Sequence, residues 1–181
     1  MPASTSLPLN DIIVRPLTSA DVPKVIELHA HVLPIRYSRS FFLQLLVLPS
    51  RACLVAHKRT QPNNLIAFVS AAMQQPLAVY NHHLIEVQEP TPGAIAGSPT
   101  KSFVHIDPTR PRLEILTLGV LPQYQHLGLA RRLIQCVTQK LLGLKPMPIA
   151  DQTIIYANVS TSNEPALKFY ESMGMDLEMH I

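Results

Sequence analysis

The chain has no tryptophan, only six glycines and two cysteines in 181 residues, and aromatics at 6%. A core therefore has to be built from aliphatic side chains. Cys53 and Cys136 lie far apart among apolar neighbours and show no metal-ligand spacing. That pattern excludes a disulfide framework and reads as buried reduced thiols, which fits a cytoplasmic compartment. No apolar run approaches the ~18 residues of a membrane span. The opening MPASTSLPLN lacks the apolar centre of a signal peptide and reads, over residues 1–10, as a flexible leader. Charged residues make up 15% with a formal net charge of +3, and no basic run is interleaved with aromatics. Direct nucleic-acid binding has no footprint here. The histidines (His29, His31, His82, His83 and His105 among them) lack cysteine or carboxylate partners at ligand spacing, so no metal site is expected.

What remains is 47% hydrophobic, enough for a sizeable core, at a length that suits one domain over residues 11–181. Seventeen prolines must sit largely in connections. Prolines 76, 90, 92, 99, 108 and 111, with Gly93 and Gly97, make residues 74–112 a long excursion between two strands, with a short helical or strand piece at 77–87.

The periodicities give an order of elements. A strand over 11–16 precedes a helix start at Thr18-Ser19-Ala20-Asp21, where a carboxylate follows a hydroxyl by three. That helix runs to Leu33-Pro34, and a second over 38–48 carries Phe41, Phe42, Leu45 and Leu46 on one stripe. Residues 51–58 and 65–73 read as a hairpin with its turn at 61–64. Then come a strand from Leu113, a helix ending at Gly143, a strand over 153–160, a helix from Ser162 to near Gly174, and a last strand from Met175. The class is α/β with a mixed central sheet flanked by helices.

The richest stretch is 113–142, LEILTLGVLPQYQHLGLARRLIQCVTQKLL. A strand feeding a helix through a glycine turn leaves the first helical N–H groups without intrahelical partners. Such an end suits an anion, above all a pyrophosphate.

Three ordered motifs carry a family resemblance. Leu116-Thr117-Leu118-Gly119-Val120 with Gln125-His126-Leu127-Gly128-Leu129-Ala130 resembles the acetyl-CoA signature of the GNAT N-acetyltransferases. Leu33-Pro34-Ile35-Arg36-Tyr37 resembles the first substrate loop of the N-terminal acetyltransferases within that superfamily. Asn163-Glu164-Pro165-Ala166 with Phe169-Tyr170-Glu171 and Gly174 is similar to its last signature segment. The nearest subgroup is the NatE catalytic-subunit type, with the Golgi type next.

The resemblance implies the GNAT fold, with 74–112 as a Pro-rich insertion between strands 3 and 4, and acetyl-CoA as cosubstrate. It implies backbone contacts to pantetheine and the acetyl carbonyl from Leu118, Gly119 and Val120, and to pyrophosphate from Gln125 through Ala130 to Arg131. Asn163 would touch the CoA arm and Tyr170 would protonate the leaving thiolate. Leu33, Pro34, Ile35, Tyr37 and Leu116 would line the pocket for a peptide N-terminus, with Met-starting termini favoured. Partners implied are the N-termini of nascent or mature proteins and an auxiliary acetyltransferase subunit at the ribosome.

Two positions depart from the pattern. Where close relatives carry a tyrosine and a histidine for proton removal, this chain has Glu114 and Asn158. Asn cannot act as a base, whereas Glu can. Strand alternation would put Glu114 on one face with Leu116 and Leu118. Amine chemistry makes the change tolerable. An α-amine with a pKa of about 7.7–8.0 is roughly a tenth neutral at pH 7, against well under a thousandth for lysine near ~10.4. An alternative reading is a non-catalytic or weakly active GNAT module within an acetyltransferase complex, and a third is a small-molecule amine acetyltransferase. In the family a further hairpin strand follows the position of Met175. The sequence ends at Ile181, so an uncovered edge over 175–181 is expected.

Overall fold

A computed structural model describes residues 9–74, 110–143 and 153–177. A five-stranded sheet in the order β1-β2-β3-β4-β5 forms the centre. β1 (Ile12–Pro16), β2 (Arg51–Lys58), β3 (Gln61–Gln74) and β4 (Arg112–Val120) form an antiparallel meander. β5 (Ile154–Ala157) joins β4 in parallel, so the sheet is mixed. Helices α1 (Val22–Val32) and α2 (Arg39–Val47) follow β1; α3 (Leu129–Leu142) connects β4 to β5; α4 (Glu164–Ser172) follows β5.

Two cores account for this layering. Leu129, Leu133, Ile134 and Val137 recur on one face of α3 and bury against Ala52, Leu54, Val69, Ala71, Leu113 and Ile115. On the other face Val22, Val25 and Leu28 of α1 and Phe42 and Leu45 of α2 close on Cys53, Val55, Leu65 and Phe68. Because β2 and β3 are covered on both sides, their middles read as unbroken apolar runs.

The entry to α1 is tied down electrostatically. Arg15 donates to both oxygens of the buried Asp21 at 2.6 and 2.9 Å. The Thr18 N–H and hydroxyl donate to the same carboxylate. These bonds, Arg15 first, hold the Asp21 carboxyl well below the usual range.

Several boundaries differ from the sequence pattern. The hairpin turn falls at Arg59-Thr60, and Gln61 already pairs with Lys58; a register shift between His57 and Lys58 absorbs Pro62–Asn64, and one between Ala56 and His57 absorbs Ile66. β5 stops at Ala157, short of the expected Ser160. Leu9–Asp11 form a 3-10 turn ahead of β1, and residues 1–8 lie outside the described residues. Met175–Leu177 carry no strand, contrary to expectation, and 178–181 lie outside the described residues. The 77–87 piece lies outside them too. Cys53 is buried, with its thiol pushed up to about 12, first by burial and then by the Asp21 charge. Cys136 is only half-buried.

Candidate functional site

β4 changes character halfway along. Ser70 of β3 pairs with Thr117, but the next pair is Ala71 with Ile115, so Leu116 is an extra residue on β4. Such a bulge reverses which face the following residues take. Leu116 packs toward the α1–α2 core, while Leu118 packs toward the α3 core. Glu114 opposes Ala72, one residue along from the core-facing Ala71, and so lies on the face of Leu116. The expectation that Leu118 shares this face fails, because a strict period of two does not survive a bulge. The buried hydroxyls of Ser70 and Thr117 satisfy each other at 2.6 Å beside it.

β5 leaves at the same level. Its pairing with β4 runs from Arg112–Ile154 to Ile115–Ala157 and ends, while β4 continues to Val120. On that side residues 116–120 face no strand among the described residues. An extended ligand can hydrogen-bond there as a strand would. Gly119 is hemmed in on the α1–α2 face: an added Cβ would lie 2.5 Å from Phe68 Cζ and 2.5 Å from Val32 Cγ2.

Past β4, Leu121 N–H bonds the Ile66 carbonyl, and Pro122–Tyr124 make a 3-10 turn. The Gln125 side-chain amide reaches back to the Val120 carbonyl at 3.0 Å. His126 (φ 60°) and Gly128 (φ 79°) are both left-handed. Gly128 is the N-cap of α3, whose first intrahelical bond runs from Arg132 N–H to the Gly128 carbonyl. The amides of Leu129, Ala130 and Arg131 therefore point out of the helix end. Left-handed residues next to them curl the Gln125–Arg131 backbone into a concavity of the kind that suits an anion. Gln125, His126, Gly128 and Arg131 are exposed, Leu127 and Ala130 half-exposed, and Leu129 anchors the loop in the core. The Arg131 guanidinium is itself engaged, donating to the Ser172 carbonyl at 2.9 Å.

α4 closes the slot from the other side. Asn163 caps it, its side-chain oxygen accepting from Ala166 N–H at 3.3 Å. A ligand contact from Asn163 would therefore fall to its NH2 group. Tyr170 packs with Phe169 and Met173 against the α3 core. Burial pushes its phenol up to about 12, so it remains a protonated donor through ordinary pH.

Glu114 and Asn158 come together. Asn158 Nδ2 donates to Glu114 Oε1 at 2.9 Å. Tyr156, which opposes Glu114 in the β4–β5 register, donates its hydroxyl to the other carboxylate oxygen at 3.3 Å. The Arg112 guanidinium lies 4.5 Å over the Tyr156 ring. Sequence reasoning passed over Tyr156. No local pattern marked it, because the contact depends on the β4–β5 register.

The α1–α2 connection forms the remaining wall. Leu33 and Tyr37 pack on the second core, Pro34 is exposed and Ile35 is 59% exposed. Tyr37 stacks at a tilt on Phe41, 4.4 Å between centroids, and meets His29 edge-on at 5.0 Å. His29 is 1% exposed, stacked on Phe68 and edge-on to Phe42. Burial holds its pKa down, and its Nε2 has no hydrogen-bond partner. Among the described residues no group of three His, Cys, Asp or Glu could hold a metal ion, and no helix is long and apolar enough to cross a membrane.

The sequence matches the model of the acetyltransferase (GNAT) family over residues 22–175. The fold is similar to Arabidopsis thaliana NAA60 in complex with acetyl-CoA, at TM-score 0.63 and 25% identity, covering 90% of this chain and 83% of that one. It is also similar to Arabidopsis thaliana Naa50 in complex with the bisubstrate analogue CoA-Ac-MVNAL, at TM-score 0.62 and 16% identity, covering 93% and 85%. The aminoglycoside antibiotic 6'-N-acetyltransferase AAC(6')-Ih from Acinetobacter baumannii matches at TM-score 0.63 and 16% identity, covering 94% of each chain. No curated protein matches in sequence.

Proposed function

The chain belongs to the acetyltransferase (GNAT) family, whose fold uses acetyl-CoA, and from that premise we propose that it acetylates the N-terminal α-amine of peptides and proteins. The observation that carries this reading is the Glu114 carboxylate, set one residue before β4 and β5 part. It shares a face with Leu116 and with Leu33 and Tyr37 of the α1–α2 connection. A polycationic sugar calls for several carboxylates, whereas a peptide with an apolar first side chain suits this wall.

In this reading acetyl-CoA enters the gap beside Leu118, Gly119 and Val120. Its pyrophosphate rests on the backbone of Gln125–Arg131 and its arm passes the Asn163 amide. The neutral amine attacks the thioester carbonyl carbon, and the nitrogen's proton passes to Glu114 directly or through one water. The C–S bond breaks and the thiolate takes a proton from Tyr170. Free thiols titrate near ~8.5, so a phenol held at about 12 acts first as a hydrogen-bond donor to the thiolate. Complete transfer draws on burial, which raises the thiolate's basicity as well. Asn158 orients Glu114 and carries no proton.

A weakly active or non-catalytic module is the second reading. It is favoured by one observation: the Asn158 amide is already committed to Glu114. The resemblance further implies cytoplasmic action on Met-starting termini beside an auxiliary subunit. CoA release with peptides starting Met-Leu, Met-Ala and Ser, and with an aminoglycoside, tests the proposal. Release with the Met peptides and none with the aminoglycoside is expected. Binding of acetyl-CoA without turnover of any peptide would leave the module reading.

A further inference from the structure

Glu114 is held from both sides, and only one of its two holders stands at a position that the family pattern singles out. Tyr156 Oη donates to Glu114 Oε2 at 3.3 Å and Asn158 Nδ2 to Oε1 at 2.9 Å. Two donors on two different oxygens fix the plane of a carboxylate, where one donor leaves it free to swing. Tyr156 is itself half-buried and held in place. It sits in the last regular part of the sheet, opposite Glu114 in the register, with the Arg112 guanidinium 4.5 Å over its ring. Arg112 Nε is buried without a hydrogen-bond partner among the described residues, and its guanidinium packs on the ring face. Burial, then the Glu114 charge, raises the Tyr156 phenol, which keeps its proton available for donation.

From this geometry we propose that Tyr156 is a positioning residue for acetyl transfer. It fixes the Glu114 carboxylate at the point where β4 and β5 part, with Arg112 as the platform for its ring. The proposal rests on the reading of Glu114 as proton acceptor. Beside Glu114 stand Tyr156 of β5 and, across its ring, Arg112 of β4. The α1–α2 side brings Tyr37 to the same face, with His29 sealed behind it. Tyr156 touches neither amine nor thioester; it acts through Glu114 alone.

That dependence sets the test. Tyr156→Phe keeps the ring, and so the Arg112 platform, and removes one hydroxyl. It should lower kcat by about threefold to tenfold at pH 7 and less above pH 8, where the α-amine is neutral unaided. The KM for acetyl-CoA should stay within about twofold. In a Glu114→Gln background the same change should cost nothing further, because partners in one network are not additive. A penalty that persists in that background would overturn the proposal, since it would show a packing role for the hydroxyl. A rate equal to the parent at every pH would overturn it as well. A second readout needs no turnover. The Asn158 side-chain NH2 resonances, assigned with Asn158→Asp, should shift in Tyr156→Phe as the carboxylate loosens. They should remain in place in Leu116→Val. Shifted resonances in a chain that acetylates nothing would refute the transferase reading and leave the Tyr156–Glu114 contact standing. Unmoved resonances with normal turnover would refute this proposal alone.

Discussion

The loop after β4 and the face before its bulge solve different problems with different atoms. Around Gln125–Arg131 the proposed cosubstrate contact falls to backbone amides, organised by two left-handed residues and one helix end. Side-chain identity matters little there beyond the need for Gly128. On the proposed acceptor face the chemistry would lie in side chains: Glu114, Asn158 and Tyr156. Backbone chemistry is tied to the fold and is kept with it. Side-chain chemistry can be exchanged, and the proposed acceptor here is a carboxylate held by two donors. The contrast separates what the proposed cosubstrate site asks of the backbone from what the proposed acceptor asks of side chains.

The sharpest way to break the contrast is Gly128→Glu. A side chain at φ 79° costs roughly 1–2 kcal/mol, and its carboxylate would stand in the anion cradle. Acetyl-CoA affinity measured by calorimetry should fall by about two orders of magnitude, while Glu114 and its partners are untouched. Binding equal to the parent would show that the cradle is not the phosphate site.

Tyr170→Phe comes next. Removing a proton donor from the leaving group costs on the order of 10²-fold, read as kcat with acetyl-CoA affinity unchanged. Since the Tyr170 phenol sits at about 12, the parent should show no alkaline loss of rate from it below about pH 10. A fall centred lower would assign the donor role elsewhere.

The acceptor face is probed by Glu114→Gln. At pH 7 roughly a tenth of an α-amine is neutral, so the variant should lose about tenfold there, more at pH 6, and little at pH 8.5. A loss that is uniform across pH would make Glu114 a positioning group instead of a proton acceptor.

The smallest effect concerns the support of that face. His29 is buried neutral among Tyr37, Phe42 and Phe68, with its pKa lowered. The unfolded chain binds a proton near ~6.5 that the folded chain refuses, so stability falls as pH drops below that value, by up to about 1.4 kcal/mol per unit. Urea midpoints at pH 7.5 and 5.5 should separate for the parent and converge for His29→Phe. The Arg15–Asp21 pair contributes its full stabilisation above ~3.9 and loses it only as pH falls below that value, so it does not intrude on this window.

How much of this was legible in the sequence follows the same division. The Gln-x-x-Gly-x-Ala loop, the helix start at Thr18 and Asp21, and both apolar stripes are local patterns, and local patterns can be read. The slip at Leu116 could not be read, because it exists only in the pairing of Ser70 and Ala71 against β4. Alternation therefore put Leu118 on the wrong face while placing Glu114 and Leu116 together. Tyr156 was missed because its partner stands 42 residues away on a parallel strand, a contact that only the register creates. The expected strand at Met175 failed locally: the Met173 and Met175 amides turn back to the Tyr170 carbonyl and Gly174 adopts φ 81°.

One measurement bears most directly on the central claim. A Met-Leu peptide with one internal lysine is incubated with acetyl-CoA and the full chain, and the product is fragmented in a mass spectrometer to locate the acetyl group. A carboxylate without a histidine can serve an amine already partly neutral, so the acetyl group should sit on the N-terminal nitrogen, with the lysine unmodified. Acetyl on the lysine, or equal amounts on both nitrogens, would contradict the account.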